Sequence, residues 1–264
     1  MPVYSERFTR LACIAAVFFA APSGAADEDS QPDKTIGFES RHRIDIGATF
    51  LDSLSFDSLN GIVGYTYNLT SKSNLNVSIP HLDPDTGTSN DSGFGDVVIA
   101  FSYVPTTTIT AHPWVPRTVG TGLAVLAPTG NSEKGRSLGT WVVSPFVGLV
   151  VPLSDRFFFA PQLGYLHSLG QTVGNTDLRL AFAEVGFGFV AINGFWTSYF
   201  PRITRDLESD DWAVDHRFAV GKMLTERVGL SFDYSLVERF NFGSNLPAES
   251  GYDKQLELSA HFAF

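Results

Sequence analysis

One segment of the sequence has the residue types that nucleophilic catalysis needs. Residues 135–139 read GRSLG, which fits the G-x-S-x-G pattern around a catalytic serine, here Ser137. The pattern works where a strand turns into a helix and a histidine lies beside the serine. None of the six histidines lies in a recognisable hydrolase motif, and they are His42, His81, His112, His167, His216 and His261. A hydrolase is therefore a secondary hypothesis.

The same segment also resembles a phosphate-binding loop. Residues 130–137, GNSEKGRS, approach G-x-x-x-x-G-K-[ST], with Arg136 at the lysine position. A phosphate loop opens a helix, whose amino terminus holds the anion. The segment that follows, 140–151, has the alternation of a strand instead. We predict a hairpin loop here, and no nucleotide or other cofactor.

An acidic segment offers oxygen ligands for a divalent cation. Residues 83–91 read DPDTGTSND, and carboxylate and amide oxygens suit Ca²⁺ or Mg²⁺. The spacing differs from that of an EF-hand loop, because Gly87 stands where a ligand is needed. We therefore predict a solvated acidic loop and no resident metal ion.

Charged residues also recur at alternate positions, where they would share one face of a strand. If the strands close into a ring, these residues line its interior. Both signs are present, so no strong ion selectivity is predicted. The lumen-lining candidates are Arg41, Arg43, Asp45, Asp96, Asp215, Arg217, Asp233 and Glu257. Glycines on the same faces are expected to leave room inside, namely Gly64, Gly122, Gly148, Gly164 and Gly229.

The elements that position these residues are strands. In residues 227–237, apolar side chains alternate with small or polar ones, which is the strand period. Each alternating segment is near the ~9–11 residues that a tilted strand needs to cross a bilayer. Twelve such segments are predicted, at 39–50, 59–69, 71–79, 94–104, 118–127, 140–151, 156–167, 178–191, 195–206, 212–222, 227–237 and 254–264.

The composition fits strands that face lipid. Charged residues make up 17% of the chain, below the usual ~25%, and the net charge of −10 argues against a nucleic-acid partner. In hydrocarbon every backbone donor and acceptor must be paired, which a sheet achieves only by closing on itself. We predict an all-β fold: a transmembrane, antiparallel, up-and-down β-barrel of about 12 strands.

The first residues have the features of a secretory signal peptide. Arg7 and Arg10 precede an apolar run at 11–21, and Gly24 and Ala26 give the small-x-small cleavage pattern. We predict a signal peptide at 1–26, cleaved near Ala26, and an outer-membrane β-barrel at 27–264. The single cysteine, Cys13, lies inside the signal, so the mature chain would lack disulfides and thiol chemistry.

Loops and terminal residues agree with a barrel of the Gram-negative outer membrane. Connections predicted to face inward are mostly tight and those predicted to face outward are mostly longer, as in such barrels. The long segment 105–117 is the exception among the inward ones. An amphipathic last strand ending in Phe262 and Phe264 resembles the assembly signal that the barrel assembly machinery reads.

Three segments of the sequence, at 92–103, 122–131 and 144–168, contain Gly95-Asp96, Pro128-Thr129-Gly130 and Gly164-Tyr165. They resemble one family, the outer-membrane transporters of the MetA pathway of phenol degradation. With the terminal strand, the resemblance spans most of 92–264. It implies a barrel that moves small, often hydrophobic, molecules, and it implies no catalytic residue.

The predicted function is that of a porin-like channel for passive passage of a small molecule, including hydrophobic or aromatic ones. Two alternatives stay open, which are an outer-membrane lipid-modifying enzyme and a structural or adhesive barrel with acidic surface loops. The expected partners are membrane lipid, lipopolysaccharide, the barrel assembly machinery and the solute. Charges that pair with one another and plug the lumen are the alternative to an open pore.

Overall fold

The computed structural model is built almost wholly from strands. It describes residues 41–53, 56–70, 72–83, 92–106, 118–134, 136–154, 156–172, 177–191, 193–241 and 252–264. The strands are β1 His42–Ser53, β2 Phe56–Thr70, β3 Ser73–Leu82, β4 Gly93–Phe94, β5 Val97–Thr106, β6 Thr118–Ala127, β7 Val142–Pro152, β8 Phe157–Ser168, β9 Arg179–Val190, β10 Phe195–Asp206, β11 Asp211–Met223, β12 Val228–Asn241 and β13 Tyr252–Ala263.

The sheet closes on itself as an antiparallel barrel. Each long strand pairs with its neighbours along the chain, and β1 pairs with both β2 and β13. The short β4 and the long β5 both pair with β3 and form one barrel strand. Twelve strands therefore surround the interior, as the alternation in the sequence predicts.

A β-bulge separates β4 from β5. His81 pairs with Phe94, whereas Ser78 pairs with Val98, so one extra residue is inserted opposite β3. A bulge bends the strand and changes the direction of its side chains. Gly95 and Asp96 lie at this bend, and both are buried.

Alternate residues face opposite sides of the wall. On β8, Leu163 is 60% exposed while the adjacent Gln162 is 8% exposed. On β13, Leu258 is 61% exposed and the adjacent Ser259 is 6% exposed. Large apolar side chains on the outside and small or polar ones on the inside match a barrel in lipid. Among the described residues, no helix is long and apolar enough to cross a membrane.

The two ends of the barrel differ. At the terminal end, the backbone N–H of Phe264 donates to the carbonyl of His42 across 3.0 Å, and short turns join β7 to β8, β9 to β10 and β11 to β12. At the opposite end, the loop end, lie the longer connections 128–141 and 169–178. The predicted signal peptide at 1–26 lies outside the described residues, as do 84–91, 107–117 and 242–251.

Aromatic rings pack together at the seam where the last strand meets the first. The ring of Phe264 stacks on that of His42 at 5.7 Å and 9°. Tyr67 stacks on the same imidazole at 5.1 Å, and the Tyr65 hydroxyl hydrogen-bonds its Nδ1 at 2.7 Å. Phe262 lies on the outer face and is 39% exposed. Both terminal phenylalanines therefore lie at the seam between β13 and β1.

Candidate functional site

The candidate site is the interior of the barrel, where two arginines converge on one glutamate. Arg202 donates from Nε to a carboxylate oxygen of Glu184 at 2.7 Å, and its Nη2 lies 2.6 Å from the same oxygen in an ion pair. The guanidinium of Arg217 lies 3.7 Å from the other carboxylate oxygen. The side chains of Glu184 and Arg202 are 2% and 8% exposed. Close charge-assisted contacts of this kind offset the desolvation of buried charges.

Cross-strand register creates this cluster. Gln162 on β8 pairs with Glu184 on β9, which pairs with Arg202 on β10, which pairs with Asp215 on β11. Directly opposite side chains on one face lie about 4.5–5.5 Å apart at Cβ. Four polar side chains thus follow one another around the inner wall, although they come from distant points in the sequence.

The arginines also contact aromatic rings. The guanidinium carbon of Arg202 lies 4.8 Å from the centre of the Phe182 ring, and that of Arg217 lies 5.1 Å from the Phe200 ring. Cation–π contacts of this length are attractive, more so when water is excluded. The charged cluster is therefore joined directly to an aromatic surface.

That aromatic surface depends on glycines in neighbouring strands. A Cβ added to Gly164 would lie 2.1 Å from the ring of Phe182, and one added to Gly186 would lie 2.3 Å from that of Phe200. Gly122, Gly188 and Gly221 are covered in the same way by Phe146, Phe158 and Trp196. We call the inner faces of β6–β10, which carry these rings, the aromatic side.

These contacts correct the expectation that the interior glycines leave room. Rings from adjacent strands occupy the space above Gly122 and Gly164. The side chain of Gln162 lies beside Gly148, at 3.6 Å from the Cβ position, and Ser78 lies 3.4 Å from that of Gly64. The glycines let large side chains lie flat against the wall, and a strand pattern alone does not show this.

The inner faces of β11–β13 and β1–β3 form a polar side. Asp215 accepts a hydrogen bond from Ser235, and Asp233 pairs across strands with Glu257. Glu257 accepts from Ser259 at 2.7 Å. Further small polar residues line this side, namely Thr49, Asn60, Thr66, Asn76, Ser78, Ser231 and Gln255.

Near the terminal end, the polar side contains a chain of four hydrogen-bonded groups. Arg43 donates from Nε to Asp45 at 3.0 Å, and Asp45 contacts Nδ1 of His261 at 2.7 Å. Nε2 of His261 lies 3.0 Å from Oγ of Ser231. Because a carboxylate only accepts, Nδ1 carries the proton, and Nε2 of a neutral ring accepts from the serine.

The order Asp45–His261–Ser231 is that of a hydrolase triad, but the described backbone around the serine does not offer a second feature of such sites. Acyl transfer needs donors aimed at the developing oxyanion. Ser231 lies on β12, which pairs with β11 and β13 on both sides, so the ladders occupy the amides around it. The chain of contacts joins three barrel strands, β12, β13 and β1.

Six of the eight predicted lumen residues lie on the inner face. They are Arg43, Asp45, Asp215, Arg217, Asp233 and Glu257, and they contribute to the contacts described above. Arg41 is exposed at the terminal end, before β1 begins. Asp96 is buried but binds loop backbone at the loop end, where it accepts from Gly130 and Leu138.

The sequence reasoning missed Glu184, Arg202 and His261. Glu184 stands within AFAEVGFGF, whose glycines and phenylalanines suggest no polar face. The inward direction of Glu184 could still have been predicted. A carboxylate in the middle of a membrane strand cannot face hydrocarbon and must face inward. Which arginine it meets depends on register, and the sequence does not show register.

The motif around Ser137 forms neither a nucleophile turn nor a phosphate loop. The Ser137 side chain accepts from the N–H of Gly139 at 2.9 Å and is buried. The next element is the strand β7, and Arg136 donates to the carbonyl of Ser92 at 2.9 Å. The segment is part of a hairpin loop, as predicted.

Residues 26–220 match the family described as MetA-pathway of phenol degradation. The chain belongs to this family. The match covers most of the barrel and includes the motifs from which the resemblance was inferred. No curated protein sequence matches the chain.

Solved structures with the same architecture are outer-membrane barrels. The COG4313 outer membrane channel from Pseudomonas putida F1 has a TM-score of 0.64 and 14% identity, over 90% of this chain and 100% of that one. The NanC porin has a TM-score of 0.60 and 10% identity, over 84% and 100%. Outer membrane phospholipase A from Escherichia coli has 0.50 and 11%, over 92% and 98%.

At these identities the likeness shows the fold, which is that of outer-membrane channels. The same architecture also carries a phospholipase, so the fold alone does not separate passage from catalysis.

Proposed function

We propose that the protein is a passive outer-membrane channel for small solutes that have an apolar or aromatic body. The observation that carries the proposal is the two-sided interior, with rings over glycines facing a polar side. The six predicted charges on the inner face, together with Glu184 and Arg202, supply its polar groups. The terminal end would face the periplasm and the loop end the exterior, where lipopolysaccharide is the expected neighbour.

The mechanism follows from the surfaces that a solute meets. A flat apolar group gains about 25 cal/mol for each Å² of apolar area it removes from water, and the half-buried rings of Phe146, Phe158 and Trp196 offer such area. Hydroxyl and charged groups on the polar side can hydrogen-bond water or a polar substituent. Movement is down a concentration gradient and needs no energy source.

Block of ion current by a matched pair of solutes tests this function. Phenyl glucoside and methyl glucoside differ in the ring and share the sugar. We expect phenyl glucoside to reduce the current through refolded protein in a planar bilayer at lower concentration. A Phe158→Leu variant should weaken that preference, because leucine keeps an apolar group but offers no ring face. Equal block by the two solutes contradicts an aromatic preference.

A lipid-modifying hydrolase is the second candidate, because Asp45, His261 and Ser231 stand in triad order. The channel is favoured, since the ladder amides beside Ser231 offer no oxyanion donors. Ester hydrolysis by the refolded wild type, lost in Ser231→Ala, would reverse that preference. A structural or adhesive role stays a hypothesis, because its acidic loops at 83–91 and 243–251 lie almost wholly outside the described residues.

A further inference from the structure

One carboxylate at the loop end holds both ends of a loop. Asp96, at the bulge between β4 and β5, accepts through Oδ1 from the N–H of Gly130 at 3.0 Å. Its other oxygen accepts from the N–H of Leu138 at 2.8 Å. Asp96 is 6% exposed. Residues 128–141, described except for residue 135, are called the mouth loop below.

Thr129 adds a second tie between the mouth loop and the bulge. Its hydroxyl donates to the carbonyl of Gly95 at 3.2 Å and accepts from the N–H of Val97 at 3.0 Å. A bulge leaves backbone groups outside the regular ladder, and Thr129 binds one on each side of Asp96. The segments Gly95-Asp96 and Pro128-Thr129-Gly130 thus form a single joint.

The loop is also folded tightly on itself. A Cβ atom at Gly130 would lie 2.2 Å from the carbonyl oxygen of Arg136, so only glycine fits. The backbone N–H of Arg136 donates to the carbonyl of Asn131 at 2.9 Å, and its side chain donates to Ser92 at 2.9 Å. The mouth loop is therefore held to the neighbouring connection as well.

The joint places an apolar side chain inside the barrel mouth. Leu138, whose N–H binds Asp96, packs against a buried cluster on the inner faces of β5–β9 and the adjoining loop. The members of that cluster are Val98, Leu126, Val142, Leu166, Leu178, Leu180 and Phe182. The mouth loop thus covers the aromatic side where it meets the loop end.

We infer that Asp96 is a positioning residue that fixes the mouth loop over the entrance and so limits the size of solute admitted to the aromatic side. The inference rests on the proposed function, in that solutes enter at the loop end. The carboxylate acts through the loop backbone and contacts no solute. Without it, two partly buried N–H groups lose their acceptor, and the inward position of Leu138 is no longer favoured.

The test compares Asp96→Ala and Asp96→Asn with Asp210→Asn. Asp210 lies in another turn at the loop end and contacts the exposed Arg205, so it controls for the loss of a loop carboxylate. The first readout is trypsin cleavage after Lys134 or Arg136 in the refolded barrel, with the fragment identified by mass. We expect at least about tenfold faster cleavage in Asp96→Ala, an intermediate rate in Asp96→Asn and no change in the control.

The second readout is the swelling of proteoliposomes in sugars of increasing size. We expect Asp96→Ala to admit larger sugars than the wild type. An unchanged cleavage rate would show that Asp96 does not hold the mouth loop, whatever the channel conducts. Faster cleavage with an unchanged size limit overturns the role in selection.

Two further cases need a control: a wild type that admits no solute, and an Asp96→Ala variant that does not refold. A wild type that admits no solute contradicts the proposed function, while the cleavage rates still decide whether Asp96 holds the loop. If Asp96→Ala fails to refold, Thr129→Val replaces it, because valine keeps the side-chain shape and removes the hydroxyl that binds Gly95 and Val97.

Discussion

The aromatic side and the polar side of the interior are held together by different physics. On the aromatic side, a ring from one strand lies over a glycine of the next, as Phe182 lies over Gly164. On the polar side, hydrogen bonds join strands from opposite ends of the chain, as between Asp45 and His261. Packing tolerates little added volume, whereas a hydrogen-bond network tolerates little loss of a partner.

The two sides meet at Glu184, and removing its carboxylate should cause the largest loss in the free energy of unfolding. Glu184→Ala leaves Arg202 and Arg217 without their buried anion. Breaking a buried pair in this way costs about 3–5 kcal/mol, measured as the free energy of unfolding in lipid vesicles. The control is Glu208→Ala, which removes an exposed partner of Arg179 and should cost at most about 1 kcal/mol. Equal losses would show that burial of the cluster contributes nothing.

Adding a methyl group on the aromatic side should cause the second-largest loss of stability. In Gly164→Ala the new methyl group would meet the Phe182 ring at 2.1 Å, and overpacking costs about 1–3 kcal/mol. Gly61→Ala is the matched control, because its nearest contact, Cβ of His81, is 3.8 Å away. If both variants unfold at the same denaturant concentration, the rings do not depend on the glycines.

Ion selectivity tests whether a charge on the inner wall lies in the ion path. Arg217→Gln removes a positive charge from the inner wall and should shift the cation-to-anion permeability ratio about twofold toward cations. The reversal potential in a salt gradient measures this. Arg205→Gln removes a charge from the outer face, where Arg205 lies over Trp212, and should leave the ratio unchanged. A shift of the same size in both variants would place Arg217 outside the ion path.

The smallest effect is expected at Ser231. Ser231→Ala removes one hydrogen bond to His261 and should lower stability by about 1 kcal/mol. Hydrolysis of p-nitrophenyl acetate should stay at the background rate in the wild type and the variant alike. Serine-dependent turnover would instead make the Asp45–His261–Ser231 chain a catalytic triad.

Most of the barrel could be predicted from the sequence because its physics is local. Alternation marks each crossing, and the predicted segment 195–206 coincides with β10 Phe195–Asp206. The same alternation placed Asp233 and Glu257 on the inner face. This prediction required only that one face of each strand contact lipid and that the other face avoid it.

The rest depends on register, which is not local. The pairing of Glu184 with Arg202 follows from the alignment of β9 with β10. Asp96 is buried in alternation with Val98 and Ala100, but its contacts with the N–H groups of Gly130 and Leu138 join residues far apart in the sequence, so the alternation did not show them. The rings over Gly122 and Gly164 come from adjacent strands, so the glycines alone suggested empty space.

Single-channel recording of the refolded wild-type protein in a planar bilayer tests the central claim most directly. A passive channel should give discrete, stepwise conductance without any added energy source. Protein that is shown to be folded and inserted, yet gives no steps over a range of voltages and salt concentrations, would contradict it.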